Sequence, residues 1–450
     1  RAYNGSGRAP NEATLEAVRA ASGSDRMPGS GPLSVTVPGA VEGWFTLLER
    51  FGTKSFAELA EPAAWYARDG FPLSAKAAGY IEASASVYDA PWAAEWRSVY
   101  ADARGGEYLR QPGLARTIDT LRTDGPDGYY RGPIAKAIAA AIRTHGGLMA
   151  PEDLAEHTGD WVDPLSTTYR GVEIFELPPN SQGVTALEAL NILEGMDFGP
   201  PGSASREHVF IEALKLALAD RNAYVTDAEA MEMQASELAS KGWARRRRAD
   251  IDTDRASAPA PGRAAGGGTV YLCAADADGM LVGLIQSNYV GFGSGVTVPE
   301  WGINLQNRGA YFSLNPEHVN VVAPRKRTMH TLMPGMAFRD GKPWLVFGTM
   351  GGDGQAQTHV DLLSHVIDEG FDVQQAIDAP RRVISPADWS VAAESRIGDS
   401  VLRALQVMGH RIQALGPYET RMGHANAIEV TEHGYAAATD PRAEGAALGL

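Results

Sequence analysis

The order of hydrophobic periods along these 450 residues predicts an α+β fold, helix-rich first and sheet-rich second. Two observations carry that prediction. Within 41–70 the apolar residues recur at three and four (Phe45, Leu48, Phe51, Phe56, Leu59, Ala63), outlining two amphipathic helices broken near Gly52. Past residue 268 the apolar runs are short and bounded by glycines, outlining strands at 269–276, 280–287, 334–339 and 343–348. A stretch of Ala, Pro and Gly with no apolar period, 256–268, reads as an unstructured joint between the halves.

The other elements follow in order. Pro32-Leu-Ser-Val-Thr-Val-Pro38-Gly39 reads as a short strand entering a turn. Residues 75–87 and 134–142 read as helices, the second closed by Gly146-Gly147 as a C-cap. Val172-Glu-Ile-Phe-Glu-Leu177 alternates as a strand and stops at Pro178-Pro179. Helices are expected at 184–193, 207–224 and 400–408, and a closing strand pair at 425–431 and 434–439. No internal repeat is present.

Composition is globular, with 44% apolar and 21% charged residues. A net charge of −15 argues against nucleic acid or an anionic membrane as main partner. The basic run Arg245–Arg248 is followed by Asp250, Asp252 and Asp254 and reads as a solvated helix end. One cysteine, Cys273, excludes an internal disulfide framework and a Cys-cluster zinc site, and its apolar strand suggests a buried structural thiol. No apolar run reaches membrane-spanning length and no leader is visible, which favours the cytoplasm; the chain opens on Arg1 rather than Met, which leaves a periplasmic destination open.

Thr269 follows Gly266-Gly267-Gly268 and opens Thr269-Val-Tyr-Leu-Cys-Ala-Ala-Asp276. A Thr at a flexible-to-ordered junction can be a plain strand start. Were the bond before it cut, its hydroxyl would sit beside a free α-amine able to act as its general base. A G-x-S-x-G elbow, an H-E-x-x-H helix and a Walker-type loop are all missing, and Gly291-Phe-Gly-Ser-Gly295 lacks the Lys and spacing of a phosphate cradle.

Gln286-Ser287-Asn288-Tyr289-Val-Gly-Phe-Gly-Ser-Gly295 downstream of Thr269 resembles the γ-glutamyltransferase family of N-terminal nucleophile hydrolases. So do Leu305-Gln306-Asn307-Arg308, Gly351-Gly352 after a strand, Ala379-Pro380-Arg381 and Asp440-Pro441-Arg442. In the first half Val37-Pro38-Gly39, Ala67-Arg68-Asp69-Gly70, Glu212-Ala213-Leu214 and Ala219-Asp220-Arg221 match the same family, collinearly from about residue 8 to the end. The resemblance implies a four-layer αββα sandwich, made as a precursor that cuts itself before Thr269. Residues 1–268, with a tail at 256–268, would form a large subunit and 269–450 a small one, interlocked as a heterodimer in one domain. It leaves room for a dimer of these.

By the same resemblance Thr269 is the nucleophile and its α-amine the base, Gly351 and Gly352 form the oxyanion hole, and Ser287 supports the nucleophile. Asn288, Tyr289, Asn307, Arg308, His330 and Thr331 would bind substrate. No metal and no cofactor are implied. Val270 stands where the family usually has a second Thr. Glutamate-binding members use an Asn-Asn-x-x-Asp-Asp-Phe string, where this chain has Gln306-Asn-Arg-Gly-Ala-Tyr-Phe312, so both acids are gone; His330-Thr331 replaces a Ser-Ser pair, and Arg8 is displaced from the place of an N-terminal Arg. An unpaired buried α-amine costs several kcal/mol, so the pocket is expected to take a small amide whose acyl group ends in a carboxylate without a neighbouring amine. His330-Thr-x-x-Pro334 and Met350-Gly-Gly-Asp-Gly-Gln355 point to the branch with cephalosporin acylases and oxamate amidohydrolase. Gln355, Gln357 and His359 either line the same mouth or begin a helix; Arg308 reads equally as an ion-pair residue and His330 as a core histidine. The rival readings are a true γ-glutamyl transferase with a rebuilt pocket and an uncleaved scaffold protein.

Overall fold

A computed structural model describes residues 1–259 and 268–449, and the chain in it forms two compact units. One comprises Tyr3–Trp161 with Asn288–Thr328; the other comprises Arg1–Ala2, Val162–Ser287 and Met329–Leu450. Each therefore draws on sequence from both sides of the 268/269 junction.

The first unit is built on helices α1 (Ala40–Phe51), α2 (Pro112–Tyr130) and α3 (Pro133–Thr144). Ile134, Ile138 and Ile142 fall on one face of α3 and are buried against Leu121, Met149, Leu154, Val296 and Leu305. Gly146, at φ 82°, and the Gly147 N–H to Ile142 O bond (3.0 Å) close α3 as expected of a glycine C-cap. Helix α2 was not legible because its period is interrupted: Gly125 is non-helical (φ 64°, ψ −155°) and Pro126 restarts the helix. The expected break at Gly52 is present, but the region after it holds two short helices, Phe56–Leu59 and Glu61–Asp69, the second started by Pro62 in its first turn. Pro32–Ser34 forms a 3-10 turn and not the expected strand. Pro32 has no N–H for a ladder, and the Ser34 hydroxyl closes the turn on Gly31 O at 2.7 Å.

The second unit is centred on a six-stranded antiparallel sheet. Its strands are β1 (Leu165–Tyr169), β2 (Val172–Glu176), β5 (Gly335–Arg339), β6 (Lys342–Met350), β7 (His424–Thr431) and β8 (Gly434–Thr439), in the order β8-β7-β6-β5-β2-β1. Strands β3 (Gly268–Ala275) and β4 (Leu281–Tyr289) form a separate hairpin. Helices α4 (Gly183–Glu194), α5 (Ala204–Tyr224) and α6 (Gly354–Asp368) complete the unit. Strand β6 fixes the layering, because neighbouring residues on a strand face opposite ways. The Phe347 ring meets His359 of α6 (centroids 4.8 Å apart), whereas a Cβ on Gly348 would stand 2.4 Å from the Tyr271 ring of β3. Helix and hairpin thus cover opposite faces of the sheet. Helix α4 is buried from Gly183 to Leu193, which explains why its apolar residues are not confined to one stripe.

The polar residues of α5 hold the start of the tail that follows it. His208, Glu212 and Lys215 recur at helical spacing and are buried with His410. His208 Nε2 lies 2.8 Å from Asp252 O, an acceptor only, so that nitrogen carries the proton and Nδ1 accepts. His410 Nε2, 2.7 Å from that Nδ1, must then donate, and its own Nδ1 faces Lys215 Nζ at 3.4 Å. Lys215 also bonds Glu212 Oε1 and Ser257 O, both at 2.8 Å, and the Ser257 N–H donates to Glu212 Oε2. Trp389 Nε1 donates to Pro259 O. The expected joint is therefore anchored through Pro259; its residues 260–267 lie outside those described. Among the described residues His208, Glu212 and His410 are the one group with spacing for a metal ion, yet every polar atom of the two rings is engaged and an ammonium sits on the carboxylate.

This relay sets an acid limit on stability. Burial first, then Lys215, His208 and Arg382, push His410 down from 6.5 to about 3. The unfolded chain takes up the proton near 6.5 and the folded chain does not, so the contribution is complete above that value and is lost as pH falls through the window from 6.5 toward 3. His157, lowered to about 4 by burial and the charges of Arg327 and Arg8, acts with the same sign. Urea unfolding should show stability dropping by about 1–2 kcal/mol per histidine between about pH 6.5 and pH 5. His410→Gln should flatten the dependence.

The basic run divides: Arg245 and Arg246 are exposed, Arg247 pairs with Asp220 and Asp250 at 2.8 Å, and Arg248 bonds the Ile192 and Asn191 carbonyls closing α4. Cys273 is half-buried, its thiol pushed up to about 11 by burial, and so stays protonated. Among the described residues no helix is long and apolar enough to cross a membrane.

Candidate active site

Thr269, Tyr271 and Cys273 share one face of β3 by the two-residue period. Tyr271 lies over Gly348, and Gly283 of β4 over Val346 (Cβ to Cγ2, 3.2 Å). With these two registrations the next same-face residue, Thr269, falls toward the Met350–Gly351 end of β6. Ser287 stands across the hairpin with its Oγ 2.8 Å from Thr269 Oγ1, a hydrogen bond in which either hydroxyl can donate. Thr269 is half-buried, while Val270 points away from this face and is 61% exposed. The hydroxyl missing at position 270 would therefore have faced away from Thr269.

Gly351 and Gly352 form the turn between β6 and α6. Their φ values of 141° and 58° lie where side chains are disfavoured. Their carbonyls accept from the N–H groups of Gly354 (3.0 Å) and Gln355 (3.1 Å), starting the helix. A Cβ on Gly351 would come within 3.3 Å of Gly423 Cα, so the turn is closely backed.

His330 and Thr331 lie in the same unit and are buried. They pair with the segment after Pro178-Pro179: His330 N–H donates to Asn180 O (2.9 Å) and Gln182 N–H to His330 O (3.0 Å). The Leu332 N–H donates to His330 Nδ1 at 3.1 Å, so the neutral ring carries its proton on Nε2. Gln182 extends this pairing. Its Nε2 donates to Thr331 O and to Gly352 O, both at 3.1 Å, and its Oε1 accepts from Arg221 Nη1, which also bonds Asp353 Oδ1, both at 2.6 Å. The sequence reading missed Gln182, and met Arg221 only inside Ala219-Asp220-Arg221 and Asp353 only inside Met350-Gly-Gly-Asp-Gly-Gln355. The available signal was the polar run Asn180-Ser-Gln182 wedged between a proline pair and a largely apolar helix.

Asn288, Tyr289, Asn307 and Arg308 belong to the other unit and form one cluster there. Asn307 N–H donates to Asn288 O, and Asn307 Oδ1 accepts from Val290 N–H, both at 3.1 Å. The Arg308 guanidinium lies 4.5 Å from the Tyr289 ring centre, and that ring packs on Tyr311 at 4.6 Å. Arg308 is 7% exposed and so is no surface residue. Of the three residues left open, Gln357 grips Ile384 through its N–H (2.8 Å) and carbonyl (3.0 Å), and His359 Nδ1 bonds Glu176 Oε1 at 2.7 Å behind the sheet. Gln355 is buried one turn earlier on the His359 face of α6. Gln357 and His359 thus serve helix packing.

The gamma-glutamyltranspeptidase family model matches residues 1–450. The chain is 38% identical over its whole length to a glutathione hydrolase-like YwrD proenzyme of Bacillus subtilis, covering 86% of that protein. It is 36% identical, again over its whole length, to an oxamate amidohydrolase proenzyme of Klebsiella pneumoniae, covering 87% of it. Among solved structures, a cephalosporin acylase from Bacillus halodurans superposes with a TM-score of 0.93 at 38% identity, over 99% of this chain and 83% of that one. The α+β order is thereby that of the four-layer αββα sandwich.

Proposed function

Since the chain belongs to the γ-glutamyltranspeptidase family, and is a hydrolase of the N-terminal nucleophile type, we propose that it processes itself at Gly268–Thr269 and then hydrolyses a small amide with an acidic acyl group. The observation that carries this reading is the 2.8 Å contact of Thr269 Oγ1 with Ser287 Oγ, on the strand face that runs toward Gly351. In processing, the Thr269 hydroxyl attacks the Gly268 carbonyl, the acyl group moves from nitrogen to oxygen, and water cleaves the ester. This frees the α-amine. In turnover that amine takes the hydroxyl proton as Thr269 attacks the substrate carbonyl and returns it to the leaving amine; water then releases the acid. Gly351 and Gly352 supply N–H groups to the oxyanion, each worth a few kcal/mol of barrier.

The acidic acyl group is argued from charge. No acid lies in 306–312 to hold an α-amine, and Gln306 is spent on Thr36 O and Oγ1 at 2.7 Å. Within one unit the neutral His330 ring carries its donor on Nε2, and within the other the Arg308 guanidinium is planar; each is a group of the kind suited to a carboxylate. Oxamate, named for one relative, is an amide that ends this way.

The test is the intact mass of the denatured protein, expected as two chains divided between residues 268 and 269, with hydrolysis of an oxamate-type amide compared with its methyl ester. Faster release of p-nitroaniline from a γ-glutamyl anilide, stimulated by glycylglycine, would replace the substrate assignment with the transferase reading. Ser287→Ala should slow processing and turnover together by about 10-fold, the value of one hydrogen bond to the nucleophile. Ser287→Thr should retain both.

A further inference from the structure

We infer that Gln182 is a positioning residue that sets acyl-group recognition and oxyanion stabilisation as one rigid unit; the inference rests on the Thr269 reading above. Its carboxamide spans two chain segments whose roles differ. One N–H donates to the carbonyl of Thr331, in the pair proposed to meet the acyl carboxylate, and the other donates to the carbonyl of Gly352, in the proposed oxyanion turn (both 3.1 Å). Both donors are used, and the remaining oxygen accepts from Arg221 at 2.6 Å. Since carbonyls only accept and a guanidinium only donates, the amide has one possible orientation.

The surroundings make that orientation stiff. Gln182 and Thr331 are fully buried, Arg221 is 1% exposed and Asp353 4%. The same Nη1 of Arg221 also donates to Asp353 Oδ1 at 2.6 Å, its Nη2 on the other side donates to Asn222 Oδ1 at 2.8 Å, and Asp353 is the residue next to Gly352. The turn is therefore gripped at Gly352 by Gln182 and at Asp353 by the arginine that orients Gln182. The Gln182 backbone in turn donates to His330 O, and the Ser181 hydroxyl to Leu332 O at 2.7 Å, so the 330–332 segment is gripped at three successive carbonyls. A displacement at either proposed subsite is carried to the other through one side chain. That is the arrangement needed for an enzyme whose oxyanion donors must fall in place when the acyl group is correctly seated.

Gln182→Glu separates this role from mere packing. A carboxylate is the same size and keeps its partner Arg221, but it turns oxygen toward both carbonyls. With rates referred to the amount of 269–450 chain found by mass, kcat on the carboxylate-ended amide should fall about 10²-fold. Its preference over the methyl ester should fall about 10-fold, and self-processing should slow in parallel. A folded Gln182→Glu protein with kcat and preference within about 2-fold of wild type, or with equal losses on both substrates, overturns the inference while leaving the proposed function standing. Wild-type protein that neither divides nor hydrolyses either substrate removes the proposed function itself. Where Gln182→Glu yields no folded protein, Arg221→Lys carries the same test: it keeps a cation beside Asp353 but loses the planar donor that aligns the amide. The expected loss is then about 5- to 10-fold in preference, and an unchanged preference overturns the inference.

Discussion

Thr269→Ala is expected to remain a single 450-residue chain and to lose at least about 10⁴-fold of amidase activity, the scale on which removal of a covalent nucleophile acts. The substitution removes the γ-oxygen and the methyl and leaves the backbone of β3 in place. Its cost to folding is limited to one hydrogen bond with Ser287 at a half-buried position, about 1 kcal/mol. A melting temperature near that of the wild type would therefore accompany complete loss of both reactions. Thr269→Ser keeps the hydroxyl and should process and turn over, more slowly, because the freed methyl space lets the oxygen rotate away from the carbonyl it must attack. Intact mass decides the outcome first. Division in the wild type and not in the alanine variant assigns the cleavage to Thr269. A single chain in both would favour the scaffold reading and end the catalytic one.

Gly351→Ala is the second large effect. At φ 141° an alanine is strained wherever it sits, and here its Cβ would press on Gly423 Cα at 3.3 Å. The expected result is a stability loss of about 1–3 kcal/mol and a fall in kcat of about 10²- to 10³-fold, because the turn can relax only by rotating the N–H groups aimed at the oxyanion. The molecule contains its own control. Gly434 has nearly the same φ, 137°, but lies in the β7–β8 turn with nothing within 4 Å of an added Cβ. Gly434→Ala should carry the strain cost and leave kcat unchanged. Equal kcat losses in the two variants would mean that strain alone, transmitted through the sheet, explains the loss at Gly351.

The elements legible in the sequence were those whose apolar run or period is uninterrupted along the chain. Helices 133–144 and 399–407, the strand 172–176 and the strand pairs around 268–289, 335–350 and 424–439 show their period directly. Helix α2 escaped because a glycine–proline kink resets the period in its middle, and Pro32–Ser34 misled because alternating apolar residues imitate a strand where proline forbids a ladder. For the site, Thr269 and Ser287 were legible from their place in the family pattern, and the 2.8 Å contact is consistent with the roles given to them. Gln182 was not, since its function resides in contacts 149 and 170 residues away that no local period encodes. The same holds for the grip on the tail: an Ala- and Pro-rich string looks unheld until a helix 42 to 45 residues earlier is seen to bond its backbone.

Both compact units are assembled from segments on either side of the 268/269 bond. A cut at that bond would change the molecularity of folding without changing the folded contacts. The uncut chain folds in a first-order reaction, and its midpoint of unfolding is independent of concentration. The cut protein would have no half able to complete either unit by itself, so losing a partner and losing the fold become the same event, and re-forming it becomes second order. Cleavage would thus make the midpoint of unfolding depend on concentration: dilution lowers the stability of the cut molecule, and once unfolded it returns slowly and only when concentrated.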